Sequence, residues 1–369
     1  MSIELKIFIG VAAFQALYYL FFFLRLNFVR GFSGLPGFLP PASVVICARN
    51  EAKNLQQFLK IVLIQQYPQF EVIVVNDEST DNTIDVLVEY YKRNKNLKLV
   101  NVPAGTAKPY GGKKYALQKG IEAATFDTIV VTDADCRPAT TRWLAKMVGA
   151  YMNDTQIVLG HSPYERTPGF LNKLIRYENI LTALQYFGFA TAGLPYMGVG
   201  RNLSYNKSLF QSFKGYEKKK HLLTGDDDLF VNAVATRKNT EVCIDKDAFM
   251  FTKAETTFSG WLNQKRRHLR SGFSYRFYHQ LLLFLFALSK FAFLVLLLWV
   301  VATGENWKII LGTSAALVLI QWLSTFTLYR KFASPDLKFL APVLDILYTF
   351  YLLLIFFLLL LKPKDNWKN

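Results

Sequence analysis

The sequence predicts an α/β fold, a mostly parallel sheet with helices on both faces, joined to transmembrane helices. Three observations carry this. Short β-branched runs alternate with helix-length amphipathic stretches from residue 43 to residue 132. Four apolar runs are long enough to cross a bilayer. Acidic residues stand where the strands end, the edge at which open α/β sheets place their ligands.

Residues 7–24 are apolar apart from Gln15, and Arg25 and Arg30 follow them. A span needs ~20 apolar residues, so this run reads as one crossing. With Glu4 and Lys6 at its start and no small-x-small site after it, a cleaved leader is not expected. The arginines place its C-terminal end in the cytoplasm. Residues 31–42, rich in Gly and Pro, form a linker. Strands are expected at 43–47, 71–76, 97–102 and 128–132, and helices at 51–65, 82–93 and 111–123, the last opened by Gly111 and Gly112.

Beyond residue 135 a helix is expected over 141–152 and a strand over 157–160. In residues 170–190, Lys173, Arg176 and Glu178 interrupt Leu171, Leu174, Ile175, Leu181 and Leu184, which fits either a core helix or a helix lying in the membrane interface. A basic loop over 214–220 leads into Gly225-Asp226-Asp227-Asp228 and a helix to about Arg237. Strands at 241–244 and 248–252 precede a basic helix within 257–272. Runs 281–302, 307–328 and 337–361 are each read as spans, containing Lys290, Gln321 and Asp345. In hydrocarbon alone such residues would cost ~2.5 kcal/mol or more, so they are expected to face protein or a water boundary. Arg330, Lys331 and Lys338 suit the cytoplasmic side. The tail Lys362, Lys364 and Lys368 then falls on the opposite side, against the positive-inside rule. The expected division is a span at 1–30, the linker at 31–42, a cytosolic domain at 43–275 and three spans at 276–369.

The totals narrow the class. A 52% hydrophobic content with 32 phenylalanines in 369 residues exceeds that of an ordinary soluble protein. Cys47, Cys136 and Cys243 are too dispersed for a disulfide framework or a zinc site. The net charge of +16 is not gathered in a tail or interleaved with aromatics on a strand. A cytosolic surface near anionic lipid is therefore expected, and no nucleic acid. No GxGxxG or GxxxxGK[ST] pattern occurs, which excludes the usual dinucleotide fold and the P-loop.

The acids carry the chemistry. TIVVTDADCRP, residues 128–138, runs a buried strand into Asp133-Ala134-Asp135. Two readings are open there. Asp135 caps a helix starting near Thr140 while Asp133 ends a strand in water, or the two carboxylates share a hard cation, Mg²⁺ or Mn²⁺, with a substrate phosphate. Asp77 ends the second strand on the same edge, and three acids in a row at 226–228 exceed what a helix N-terminus needs. Lys113, Lys114, Arg201, Arg266, Arg267 and His268 supply positive charge suited to a diphosphate.

These pieces resemble family 2 glycosyltransferases of the membrane-integrated branch, the group of cellulose, chitin, hyaluronan and ceramide-glucosyl transferases. The resemblance rests on VVICARNE, VVNDESTDNT, GKKYAL, TDAD, GVGRNLSY, TGDDD and QKRRH, in the family's order over about residues 43–270. It implies a GT-A-like fold and transfer of a sugar, with inversion, from a nucleotide diphosphate sugar, most simply a UDP-sugar, to a lipid or glycan acceptor hydroxyl. Arg49, Asn50, Glu51, Asp77, Lys113, Asp133, Ala134, Asp135, Gln264, Arg267 and His268 would bind the nucleotide sugar. Asp133 and Asp135 would hold Mg²⁺ or Mn²⁺. Asp227 would be the general base, with Asp226 the alternative register, and Gly200, Arg201, Asn202 and Asp226 would meet the acceptor. The family's Gln-x-x-Arg-Trp has His268 in place of the tryptophan. The implied setting is an integral membrane protein with a cytoplasmic catalytic domain, in the inner or plasma membrane of a bacterium, and an oligomer is compatible with it. Two alternatives stand beside this reading: a processive polysaccharide synthase, and a non-catalytic membrane-tethered nucleotide-binding scaffold.

Overall fold

The computed structural model describes residues 1–29, 39–111, 113–152, 154–213 and 227–360, apart from the side chains at 268 and 358–360. Most of the expected linker, Gly112, the basic loop at 214–220, Asp226 and the lysine tail lie outside the described residues. In chain order the elements begin with α1 (Ile3–Tyr18), β1 (Ala42–Ala48), α2 (Ala52–Leu63), β2 (Phe70–Asp77), α3 (Thr83–Arg93), β3 (Leu97–Val102), α4 (Lys113–Ala123) and β4 (Thr128–Asp133). They continue with β5 (Cys136–Pro138), α5 (Trp143–Val148), β6 (Ile157–Gly160), α6 (Phe170–Thr191), β7 (Leu203–Asn206), α7 (Lys207–Ser212), α8 (Asp228–Val234), β8 (Thr240–Cys243) and β9 (Met250–Thr252). The last four are α9 (Phe258–Gly272), α10 (Phe277–Ala302), α11 (Trp307–Lys331) and α12 (Ala341–Leu360). The described residues form two compact units, one within 30–165 and 193–254, the other within 1–29, 166–192 and 255–364. Thus α6 and α9 belong with the long apolar helices.

The first unit is built on a seven-stranded sheet of order β3-β2-β1-β4-β7-β6-β8. The four strands expected from the alternation, β3, β2, β1 and β4, are mutually parallel. β7 then runs antiparallel to both β4 and β6, making the sheet mixed. Leu203–Asn206 is four residues long, too short to show a strand period. β1 and β4 are buried almost throughout because β-branched residues on both faces meet helices. Leu55, Leu59, Val62 and Leu63 of α2 recur at the helical period and pack on Val44, Val72, Val74 and Val130. On the other face Gly120 of α4 lies so close to β1 that a Cβ there would fall 2.4 Å from Val45 Cγ1. The helix expected from 141 is the shorter α5, with Arg142 at its N-cap. Residues 136–138 form β5, paired with β9, so Asp135 caps no helix.

The register fixes the ligand edge. Cys47 of β1 is level with Val75 of β2 and Asp133 of β4, and Asp77 sits two residues farther along β2. Asp77 and Asp133 therefore flank β1 at one end of the sheet, about 12 Å apart from the usual strand spacing and rise per residue. At the other end Glu71 accepts from Ser43 Oγ, Thr125 N–H and Thr125 Oγ1 and pairs with Lys98 at 2.7 Å.

The second unit holds the apolar helices. Among the described residues, three segments are long and apolar enough to cross a membrane: Ile3–Asn27, Phe277–Ala302 and Trp307–Lys331. The fourth expected span is shorter among the described residues, Ala341–Phe357. Pro335 opens a 3-10 turn over Pro335–Leu337, so the helix begins at Ala341 instead of Leu337. α6 is a buried helix of this unit. Its Arg176 makes a two-pronged pair with Asp336 at 2.6 and 2.9 Å, and its Glu178 takes Lys265 at 2.8 Å and Trp261 Nε1 at 2.9 Å. These pairings answer the charge that made the segment amphipathic.

Two measurements check this packing. Gly120→Ala is expected to destabilise by about 1–3 kcal/mol through overpacking against Val45, and less in a Val45→Ala background, as read from thermal unfolding of both pairs. For Glu71, burial works to raise the carboxyl's pKa, but Lys98, Thr125 and Ser43 outweigh it and hold the group below the usual range. Its stabilising contribution is then present above the unfolded value, about 4.3, and lost as pH falls through the lower folded value. Glu71→Gln is expected to flatten the acid limb of Tm against pH below about 4.3.

Candidate active site

Asp133 is the last residue of β4, Asp135 follows two residues later and Cys136 opens β5. One donor atom from each of the three lies within 4.8 Å of the others. Lys113, the first residue of α4, places its ammonium 2.5 Å from Asp133 Oδ1. Burial, then Asp133 and Glu51, push the Asp135 carboxyl up, against Arg201 and the Cys136 thiol. Burial, followed by Asp135 and Asp133, likewise pushes the Cys136 thiol well up, so it stays protonated and offers no thiolate. The available donors are carboxylate oxygens, which fit a hard divalent cation and not a soft one.

Arg201 joins this cluster from the turn before β7. Its guanidinium lies 4.9 Å from the centre of the Tyr164 ring. Burial disfavours its charge, yet Tyr164, Cys136 and Asp133 more than offset that and keep it protonated. A half-buried cation facing carboxylates is a fixed donor for an anion.

Asp77 is buried, and Lys108 pairs with it at 2.6 Å and with Glu78 at 2.8 Å. Lys108, then Arg49 and the Gly105 N–H, outweigh the small effect of burial and hold the Glu78 carboxyl below the usual range. Asp77 Oδ2, Asn76 Oδ1 and Thr132 Oγ1 are buried without a hydrogen-bond partner among the described residues. Folded interiors satisfy about nine in ten such groups, so three orphans at the ends of β2 and β4 mark this edge as ligand-facing. Backbone strain gathers here too: Asn50 and Glu78 have φ of 57° and 54°, a left-handed conformation that side chains seldom adopt.

The predicted residues of the first loop divide by role. Asn50 Oδ1 accepts from Thr80 N–H at 2.7 Å, and Asn50 N–H donates to Ser79 Oγ at 3.0 Å. Glu51 N–H donates to Thr83 Oγ1, and Asp81 accepts from Ala52 N–H and Thr83 N–H. Asn50 therefore braces the loop after β1 to the loop after β2. Asn202 is fully buried: it accepts from Trp143 Nε1 and donates to the carbonyls of His161 and Ala248. Its amide serves the fold. Lys114 is fully buried as well, whereas its neighbour Lys113 reaches the acids.

Asp227 occupies the N-cap position of α8 but makes no side-chain cap. Its carboxylate lies instead against Gly200, where a Cβ would come 1.8 Å from Asp227 Oδ2. Only a glycine admits this approach. The structure thus gathers Asp133, Ala134, Asp135, Lys113, Arg201 and Glu51 around one cluster, Asp77 and Arg49 around Lys108 and Glu78, and Gly200 with Asp227. Gln264, Arg267 and His268 lie on α9, in the other unit, where Gln264 is half-buried and Arg267 exposed. Two residues escaped the sequence reading: Lys108, the partner of Asp77, and Tyr164, under Arg201. Lys108 was within reach, since the loop after β3 opens on the same edge as Asp77.

With this geometry in hand, comparison with known proteins is direct. The family model for glycosyl transferase family 2 matches residues 43–212. The chain is 34% identical over 93 residues to a poly-beta-1,6-N-acetyl-D-glucosamine synthase of Staphylococcus epidermidis, 25% of this chain and 21% of the relative. It is 32% identical over 108 residues to a beta-monoglucosyldiacylglycerol synthase of Nostoc sp., 29% of this chain and 22% of the relative. The chain spans about a fifth to a little over half of the length of the curated relatives it matches. In fold it is similar to a mannosyltransferase from Pyrobaculum calidifontis, solved with GDP-Man and Mn²⁺, at a TM-score of 0.57 and 18% identity over 92% of this chain and 99% of that one. On a GT-A-like fold, with the acids at the ends of its parallel strands, the chain carries a glycosyl transferase family 2 domain over residues 43–212.

Proposed function

We propose that the chain is a membrane-integrated, inverting glycosyltransferase that moves a sugar from a nucleotide diphosphate sugar, a UDP-sugar, to a hydroxyl of a lipid-linked or membrane-associated acceptor, with its catalytic unit in the cytoplasm. The observation that carries it is the Asp133–Asp135 pair at the end of β4, with Lys113 on one carboxylate. Asp133 and Asp135 would hold Mg²⁺ or Mn²⁺, which when bound would neutralise the donor's diphosphate. Lys113 and Arg201 add fixed positive charge for the departing diphosphate, where preorganised donors lower the barrier most. Asp77, oriented by Lys108, offers its unpartnered Oδ2 to a donor N–H or O–H of the base or ribose.

Inversion needs one displacement. The acceptor oxygen forms a bond to the anomeric carbon as the bond to the diphosphate breaks, and the acceptor proton goes to Asp227. That carboxylate is left uncommitted to its helix and is set by contact with Gly200. Asp226 stays the alternative base. A second reading, a processive polysaccharide synthase, is favoured by the match to the poly-beta-1,6-N-acetyl-D-glucosamine synthase. Product analysis separates the two: one glycolipid, or a ladder of chain lengths.

Purified protein is expected to release UDP from a UDP-sugar only with Mg²⁺ or Mn²⁺, and the donor is expected to raise Tm in the presence of Mn²⁺. Asp135→Ala should abolish that metal-dependent shift. A shift of equal size in the variant or in EDTA refutes the metal seat, and a panel including GDP-sugars tests the choice of nucleotide. Asp227→Asn is expected to lower transfer by roughly 10²–10⁴-fold while the donor-induced shift persists. Gly200→Ala, which displaces the same carboxylate, is expected to lower kcat by roughly 10²-fold with little change in donor KM. Unchanged turnover in Asp227→Asn removes that residue from the reaction.

A further inference from the structure

The unit of apolar helices contains a half-open cavity of about 250 Å³ between α1, α6, α10, α11 and α12. Leu181, Phe293, Leu294, Leu317 and Val318 are among its apolar lining residues. Polar groups interrupt them, among them Gln15, which accepts from Gln321 Nε2 at 3.1 Å, and a cluster about Asp345. Lys290 Nζ lies 2.7 and 2.6 Å from the two Asp345 oxygens, and Tyr177 donates to Asp345 Oδ1 at 2.5 Å. Ser314 lines the same space, and its hydroxyl is buried with no partner among the described residues.

The chemistry selects an occupant. Two of the wall helices, α10 and α11, are long and apolar enough to cross a membrane, so the surrounding solvent is lipid. An apolar space of this size loses the contacts of its lining atoms unless a hydrocarbon fills it. Lys290 and Asp345 cancel each other's charge, so the cluster holds no surplus for an anionic headgroup. A carboxylate can accept about four hydrogen bonds, and Asp345 receives three here, which leaves room for one hydroxyl donor.

We propose that this cavity binds a neutral, hydroxyl-bearing membrane lipid, with an acyl chain along Leu294 and Leu317 and the lipid hydroxyl donating to Asp345. The site lies within one unit and does not depend on the glycosyl-transfer reading. It does not require that this lipid be the sugar acceptor.

The test uses the full chain in phosphatidylcholine nanodiscs containing a diacylglycerol with a diazirine in one acyl chain. Labelling is expected on cavity-lining peptides of α10, α11 and α12. Leu294→Trp, which fills the space, should cut it at least fivefold, while Leu298→Trp, on an exposed position of α10, should leave it unchanged. Leu294→Phe gives a milder filling if the tryptophan variant does not fold, as judged by Tm. A diacylglycerol analogue with its hydroxyl acylated should label several-fold less in the wild type. It should label as well as the parent lipid in a Lys290→Met, Asp345→Leu double variant, which removes both charges together. Labelling indifferent to filling at Leu294, or confined to outward-facing positions, overturns the site. Equal labelling of the wild type by the hydroxyl-blocked analogue overturns the assignment of the lipid's head.

Discussion

Mutual repulsion among carboxylates is the constraint on which the ligand edge depends. Parallel pairing of β2, β1 and β4 brings Asp77 and Asp133 to the same end of the sheet, and the chain adds Asp135, Glu51 and Glu78 within reach. Like charges so placed cannot all stay ionised without compensation. The loops therefore carry a cation for each cluster: Lys113 on Asp133, Arg201 beside Asp135, and Lys108 between Asp77 and Glu78. A donor diphosphate with its metal would enter a field already arranged around charge, with little reorganisation.

Buried charges in the unit of apolar helices have partners of opposite charge or hydrogen-bonding groups. Among the apolar helices, Arg176 is matched by Asp336, Glu178 by Lys265 and Trp261, and Lys290 by Asp345. Such matching is what a low-dielectric surrounding demands. At the sheet edge, by contrast, oxygens of Asn76, Asp77 and Thr132 remain unpaired among the described residues. These three lie at the ends of β2 and β4, where a ligand would satisfy them.

Much of this was legible in the chain. Strands rich in Val and Ile between helices with a 3.6-residue apolar period determine the parallel half of the sheet, and TDAD at the end of one of them marks the edge. The antiparallel β7 was not legible, because four residues carry no period, and neither was the late start of α12, which follows from a turn at Pro335. Lys108 and Tyr164 pair with site residues across 31 and 37 positions of chain, and only the assembled fold brings them there. Asp227 was visible as an acid. That it turns away from its helix toward Gly200 is a property of the packing.

The brace at Asn50 has a consequence of another kind. Its side chain and those of Ser79, Asp81 and Thr83 bind the loops after β1 and β2 into one body. Two loops that would otherwise lose their freedom separately when a nucleotide arrives are already ordered together. The entropy of closing them is removed at folding, not at binding. On the proposed reading, donor recognition at this edge would be preorganised, and differences in affinity among nucleotides would arise from contact chemistry more than from loop rearrangement.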